Sequence, residues 1–340
     1  MLPANREENR SGEPWGTLTS SSEAMRILLT GASGFVGSAL LPRLLEQGHD
    51  VCALARDRAR VRHALDYLAK VGTAKVGPGD FELVLGDTLT GAGVLRAMRD
   101  ADVAYYLIHS MEPVASGEPF PARERISAQT FAGAARAARV PRIVYLGGPR
   151  ASSTHLASRY EVERILLDAV PDSVALRATV IIGARSRSFR FLVRLVERMR
   201  VLALPAWRRF RIQPIDERDI VELLLACAQS PAVSGHSFDA AGPDVLSYGG
   251  IVQRLAELMM LARPSVGLGV TLTPIAARLA ASLAGESPEL VLPLMEALTG
   301  DLLPTGTDPA DVLAVRLHSF DAAVEHALCE WEKVEQLAAR

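Results

Sequence analysis

From residue 25 onward, short apolar runs alternate with longer amphipathic stretches. The runs are Arg26–Thr30 (RILLT), Asp50–Ala55 (DVCALA), Phe81–Leu85 (FELVL), Val103–Ile108 (VAYYLI), Arg142–Leu146 (RIVYL) and one that opens at Val174–Arg177 and extends toward Ile182. Their length and near-continuous apolarity predict strands covered on both faces. Between the first two, Val36, Leu40 and Leu44 recur every four residues and share one helical face, which Gly48 ends. Further helices are predicted over Arg58–Val71, Gly91–Arg99, Ala122–Arg139 and Ser158–Ala169. Pro42 falls inside the first helix, where the lost hydrogen bond and ring clash cost about 3 kcal/mol. A kink is expected there, or tolerance because Ser38, one turn earlier, is small. Six alternations of strand and helix define an α/β fold, a doubly wound parallel sheet with right-handed crossovers.

After Gly183 the pattern changes. Residues 186–204 read as a helix carrying Arg187, Arg190, Arg194 and Arg198. Arg211–Ile215 reads as a strand, Asp219–Gln229 as a helix with Asp219 as its N-cap, and His236–Ala240 as a last strand. From Ser247 the chain is mostly helical, punctuated by Pro264, Pro274, Pro288, Pro293, Pro304 and Pro309. The expected organisation is a disordered leader over 1–24 and a dinucleotide-binding domain over 25–183. Residues 211–240 return to that domain, and 184–210 with 241–340 form a smaller, mostly helical region.

Gly31-Ala32-Ser33-Gly34-Phe35-Val36-Gly37 lies between the first strand and first helix, with glycines spaced by three. Such spacing suits a tight turn at Gly31, close approach of a pyrophosphate at Gly34 and close helix–sheet packing at Gly37. Free N–H groups of the helix would face the anion. Gly31, Ser33, Gly34, Phe35, Val36 and Gly37 are therefore the expected cofactor turn. At the end of the second strand an acidic residue would favour NAD by bonding the ribose hydroxyls. Arg56 stands there instead and predicts NADP through a 2′-phosphate, with NAD as the alternative; Arg58 could assist, and Asp57 blurs the choice. Asp87 could accept from the adenine amino group or serve as a turn residue. His109 and Ser110 follow the fourth strand, at the carboxyl edge where ligands bind in such sheets. Glu112–Pro121 could cover the site.

Charge and composition narrow the classes. With 37 basic and 39 acidic residues the formal charge is −2, which argues against a nucleic-acid partner. Cys52, Cys227 and Cys329 are far apart, with no metal-ligand spacing and no disulfide framework, so a reducing cytoplasm and no metal are expected. No apolar window reaches spanning length; the nearest, Leu268–Gly285, is interrupted by Arg278. A buried helix is the plain reading of that window. Peripheral membrane contact there, or through the arginine series, is the alternative.

The turn TGASGFVG, the Gly-Asp after the third strand, RIVYLGG, LRATVIIG, RIQPIDERDI and FDAAGPDVLSY resemble the short-chain dehydrogenase/reductase superfamily in its extended and atypical branches. The run YYLIHSM resembles the NmrA-like group and the nucleotide-binding accessory subunit of respiratory complex I. The resemblance covers about residues 25–250. It implies catalysis by Ser, Tyr and Lys. Here Gly147-Gly148 stand at the Ser position, and His155 and Arg159 stand at the i, i+4 positions of Tyr and Lys. His155 is the expected proton carrier, at an ordinary imidazole pKa near 6.5, and Arg159 the ribose contact. Ser152 and Ser153 lie near the missing hydroxyl. A shifted pair, Tyr160 with Arg164, keeps the spacing but moves the donor by more than a turn. The leading expectation is an atypical NAD(P)-dependent oxidoreductase of a small carbonyl or quinone-like substrate. The alternatives are a non-catalytic NAD(P)-binding redox sensor or assembly factor, and a sugar-nucleotide epimerase or dehydratase.

Overall fold

The computed structural model describes residues 24–72, 79–109, 119–150, 153–269 and 300–337. The leader, Ser110, Ser152 and most of Leu268–Gly285 lie outside these residues. Seven parallel strands form the main sheet: β1 (Arg26–Thr30), β2 (Asp50–Ala55), β3 (Phe81–Leu85), β4 (Val103–Tyr106), β5 (Arg142–Gly147), β6 (Val174–Ala178) and β11 (Ser237–Ala240), in the order β11-β6-β5-β4-β1-β2-β3. The expected doubly wound parallel sheet is present, followed by a mainly helical C-terminal region.

Alternation along each strand divides the core. Ile27 and Leu29 of β1 face one layer with Val103 and Tyr105 of β4. Leu28 faces the other with Ala104 and Tyr106. The first layer is closed by α1 (Phe35–Glu46) and α7 (Glu217–Gln229), the second by α3 (Val94–Ala97), α4 (Phe120–Ala138) and α5 (Thr154–Ala169). Helix α1 runs unbroken through Pro42. Ser38, one turn before the proline, is small and fully buried, and its hydroxyl donates to the Phe35 carbonyl at 3.0 Å.

A third core lies beyond the sheet. It gathers α6 (Arg187–Arg198), α8 (Tyr248–Leu258) and α10 (Phe320–Glu332) around Phe189, Ile251, Val324 and Trp331. The stretch expected as one helix over 186–204 stops at Arg198 and gives strand β8 (Leu202–Leu204), paired in parallel with β13 (Ser265–Gly267). Four other short strands sit nearby: β7 (Ile181–Ile182) pairs with β10 (Ile215–Asp216), and β9 (Arg211–Ile212) with β12 (Leu246–Ser247). The α7 N-cap is Asp216, which accepts from Arg218 N at 2.8 Å. Asp219, expected in that role, instead accepts from the backbone and ring of His318, at 2.7 and 2.5 Å. It thereby fastens the segment between α9 (Pro309–Leu313) and α10 to α7.

The arginine series of α6 is not a free basic face. Arg190 and Arg194 pair with Glu335 and lie over the Trp331 ring, at 4.3 and 4.9 Å from its centroid. Among the described residues no helix is long and apolar enough to cross a membrane.

Candidate active site

The chain reverses its strand order between β1 and β4, and Thr30 ties the two strand ends there. Its hydroxyl donates to the Tyr105 carbonyl at 2.8 Å and accepts from Leu107 N at 3.2 Å. Gly31 follows with φ +74°, and an added Cβ would stand 2.7 Å from the Leu107 carbonyl oxygen. A Cβ on Gly37 would stand 2.2 Å from the Gly31 carbonyl oxygen. Both neighbours are backbone, so only glycine allows this approach of turn, helix and strand. Helix α1 begins at Gly34 with no side chain capping it. The first-turn amides are left for an anion, in a cradle that fits a dinucleotide's pyrophosphate.

A cavity of about 1070 Å³ runs past this turn. That exceeds the roughly 300–1,000 Å³ of common small-molecule sites, leaving room for cofactor and substrate together. One end is lined by Arg56, Arg60, His63 and Asp87, the middle by Gly31–Gly37, and the next stretch by Leu107, His109, Gly147 and His155. The far end is apolar, with Phe191, Leu195, Trp207, Tyr248 and Ile251. The structure thus brings Gly31, Ser33, Gly34, Phe35, Val36, Gly37, Arg56, Asp87, His109, His155 and Arg159 to one cavity. Asp87 also closes a turn by accepting from Leu89 N at 2.9 Å.

His109 and His155 stand side by side, ring centroids 5.0 Å apart, with Phe120 5.1 Å from His155. His109 keeps open surface toward the cavity although protein surrounds it on nearly every other side. Burial, with the Arg159 charge behind it, pushes the His155 pKa down from 6.5 to about 4. Burial, Arg159 and His155 hold His109 well below its usual value. Both rings are therefore neutral at neutral pH, which corrects the expected ordinary imidazole pKa of His155. A ring-proton NMR titration should place the His155 midpoint near 4, and the pH dependence of turnover should show no His155 inflection near 6.5. Because the folded pKa is depressed, the unfolded chain binds the extra proton between those values, so His155 subtracts stability as pH falls through that window. A midpoint near 6.5 would remove the assigned environment.

Arg159 is sealed in protein. Its guanidinium donates to the Ile108 carbonyl at 2.9 Å, to Glu124 at 3.0 Å and to the Leu146 carbonyl at 2.6 Å. It binds together the carboxyl ends of β4 and β5 and does not present a free fork for a ribose. The Gly147-Gly148 pair has a packing reason. A Cβ on Gly147 would stand 2.8 Å from the Tyr145 ring, and one on Gly148 would stand 2.8 Å from Leu156. Ser153 caps α5, accepting from Leu156 N at 3.3 Å. Tyr160 is exposed beneath Arg150, and Arg164 faces Asp168, so the shifted pair is turned away from the cavity.

Sequence reasoning missed several groups. Glu124 is buried with Arg159. Arg185 lines the cavity, donates to the Ser38 hydroxyl and lies over Tyr67, its ring centroid 5.2 Å away. Glu217 packs against Gly183, and burial with Glu330 nearby raises its carboxyl well above the usual range. Each depends on contacts between residues distant in the chain, which periodicity does not encode.

A family profile described as the NAD dependent epimerase/dehydratase family matches residues 27–230. The chain belongs to this family. An uncharacterised protein of Mycobacterium tuberculosis is 26% identical over 247 residues, 72% of this chain and 24% of that protein. The chain thus matches about a quarter of the length of its mycobacterial relatives. The bifunctional dihydroflavonol 4-reductase/flavanone 4-reductase of Pyrus communis is 50% identical over 48 residues, 13% of this chain and 14% of that enzyme.

Among solved structures, MoeE5 with UDP-glucose and NAD superposes with a TM-score of 0.64 at 17% identity, covering 91% of this chain and 98% of that one. WbmG of Bordetella bronchiseptica with NAD and UDP gives 0.64 at 17%, covering 93% and 97%. Citrobacter triphenylmethane reductase with NADP(H) gives 0.66 at 15%, covering 89% and 99%. At these identities the likeness is one of fold. The narrower resemblance to the NmrA-like group gains no support from these matches.

The preference for NADP is corrected. The matching family is described as NAD dependent, and MoeE5 and WbmG hold NAD. The physical reason lies at the rim. Arg56 is exposed, and the adjoining Asp57 carboxylate caps α2 (Arg58–Val71), accepting from Ala59 N at 2.7 Å. That carboxylate puts negative charge beside Arg56, which opposes a 2′-phosphate there.

Proposed function

We propose that the protein is an NAD-dependent enzyme that oxidises and reduces its substrate beside His155. The observation that carries this reading is one continuous cavity. It passes from the glycine turn, past the His109–His155 pair, to an apolar end. The turn Gly31–Gly37 would hold the pyrophosphate, and Asp87 and the neighbouring rim would hold the adenosine end. NAD bound there would supply the hydride acceptor. Neutral His155 would accept the substrate hydroxyl proton on its bare ring nitrogen as the hydride leaves for NAD, and would return it from the imidazolium when the hydride comes back. Arg159 and Glu124 position the strand ends around the site. Phe120 and His109 wall the imidazole from water.

A sugar nucleotide is the substrate class that family and fold neighbours favour. Arg185 and Arg187 on the cavity wall supply positive charge suited to a diphosphate. A second reading, an apolar carbonyl compound, rests on the Phe191, Trp207, Tyr248 and Ile251 lining.

Calorimetry with NAD comes first, followed by nicotinamide absorbance with a panel of UDP-sugars and of aromatic ketones and quinones. Turnover of either class is expected. His155→Ala should lose at least ~100-fold in rate while binding NAD normally. An unchanged rate would remove His155 from the chemistry, and a panel without turnover despite tight NAD binding would favour a sensor.

A further inference from the structure

We infer that the ribbon formed by β8 and β13 is a docking surface for an anionic lipid bilayer. The two strands pair in parallel with Val266 opposite Ala203 and Gly267 opposite Leu204. Leu202 and Leu204 turn inward to the third core. The opposite face carries Val201, Ala203, Val266 and Leu268, all exposed, the three larger ones at 46%, 51% and 42%. Four neighbouring apolar side chains facing solvent on one small ribbon form a patch with no cover among the described residues.

Charge identifies the occupant. Residues 199–210 and 262–269, which contain the whole ribbon, hold four arginines and no acidic residue, in a chain whose formal charge is −2. Arg200 precedes β8 and is exposed. Arg208 and Arg209 are exposed on the one-turn 3-10 helix after it, and Arg208 lies along Gly267 of β13. On neighbouring elements, exposed Glu257 and Asp301 face arginines of their own, Arg254 and Arg211. An apolar stripe fringed by the exposed Arg200, Arg208 and Arg209 matches a headgroup–acyl boundary bearing negative lipid. The same 3-10 helix carries Trp207, which lines the apolar end of the cavity. Docking would therefore bring that end of the chamber against the bilayer.

The test is flotation of the full chain with phosphatidylcholine vesicles, and with vesicles in which a third of the lipid is phosphatidylglycerol. Binding is expected only to the second kind, weakened by salt. Each arginine contributes about a five-fold factor to the partition, so Arg200→Glu/Arg209→Glu should lose more than ~25-fold. Val201→Asp/Val266→Asp should abolish binding with an unchanged melting temperature and unchanged NAD affinity, since these side chains support no core. Absence of binding to anionic vesicles overturns the inference, as does equal binding by these variants. A concentration-dependent dimer that Val266→Asp disperses, without vesicle binding, also overturns it and assigns the ribbon to a second copy of the chain. None of these outcomes touches the NAD reading, which the calorimetry tests alone.

Discussion

Replacing Gly37 with alanine is expected to abolish measurable NAD binding and to lower the melting temperature. The new methyl would sit 2.2 Å from the Gly31 oxygen, 2.7 Å from its carbonyl carbon and 3.2 Å from the Ala32 Cα. All three are backbone atoms, so no side chain can swing aside. Either α1 retreats from the turn or the turn opens, and the first-turn amides leave the positions that would meet a pyrophosphate. Overpacking of this kind costs about 1–3 kcal/mol. A displacement on the order of 1 Å in a binding group can cost ~100-fold or more. Gly133→Ala is the matched control. Nothing lies within 4 Å of its would-be methyl in α4, so it should gain about 0.5–1 kcal/mol of stability and leave NAD affinity unchanged. Calorimetry and thermal melts on both variants decide the matter. Normal NAD affinity in Gly37→Ala would mean that the cofactor does not sit on this turn.

The second large effect is expected at the Arg159–Glu124 pair, whose side chains are 5% and 2% exposed. Arg159→Ala removes the counter-charge of Glu124 and leaves the Ile108 and Leu146 carbonyls without this donor. Breaking one partner of a buried ion pair costs about 3–5 kcal/mol, and the urea midpoint should fall accordingly. Glu124→Leu/Arg159→Met should recover much of that loss, because two apolar side chains leave no orphaned charge. If Arg159→Ala unfolds at the wild-type midpoint, the guanidinium does not hold the strand ends as described. Arg159→Lys cannot substitute fully, since an ammonium lacks the planar fork that reaches two carbonyls and a carboxylate together.

These two sites differ in how far they could be read from the chain. The glycine turn is a local object. Its spacing, the strand before it and the helix after it occupy one short stretch, and β1, β2, β3 and α2 match their expected bounds for the same reason. The buried pair joins residues 35 positions apart, each of which in isolation reads as an exposed charge on a helix. Residues 186–204 show the same limit in the fold. Their helical pattern is real as far as Arg198, but Leu202–Leu204 is drawn into pairing with Ser265–Gly267, a partner more than sixty residues away. At α7, Asp216 and Asp219 are both plausible caps by composition. Only the tertiary position of His318 decides that the first caps the helix and the second anchors the following segment. The apolar chamber was equally hidden, because Phe191, Trp207 and Tyr248 come from three elements that meet only in the folded protein.

The way α10 completes the third core has a consequence for biosynthesis. Phe320, Val324, Leu328 and Trp331 pack directly among residues contributed by 182–212 and 251–259. All seven strands of the main sheet have emerged from the ribosome by Ala240, so that sheet can consolidate while translation continues. The wall of the apolar chamber cannot, because its supporting side chains lie about eighty residues further along the chain. During that interval the nascent chain would present a finished nucleotide platform beside an open apolar trough, the natural point for a chaperone to engage.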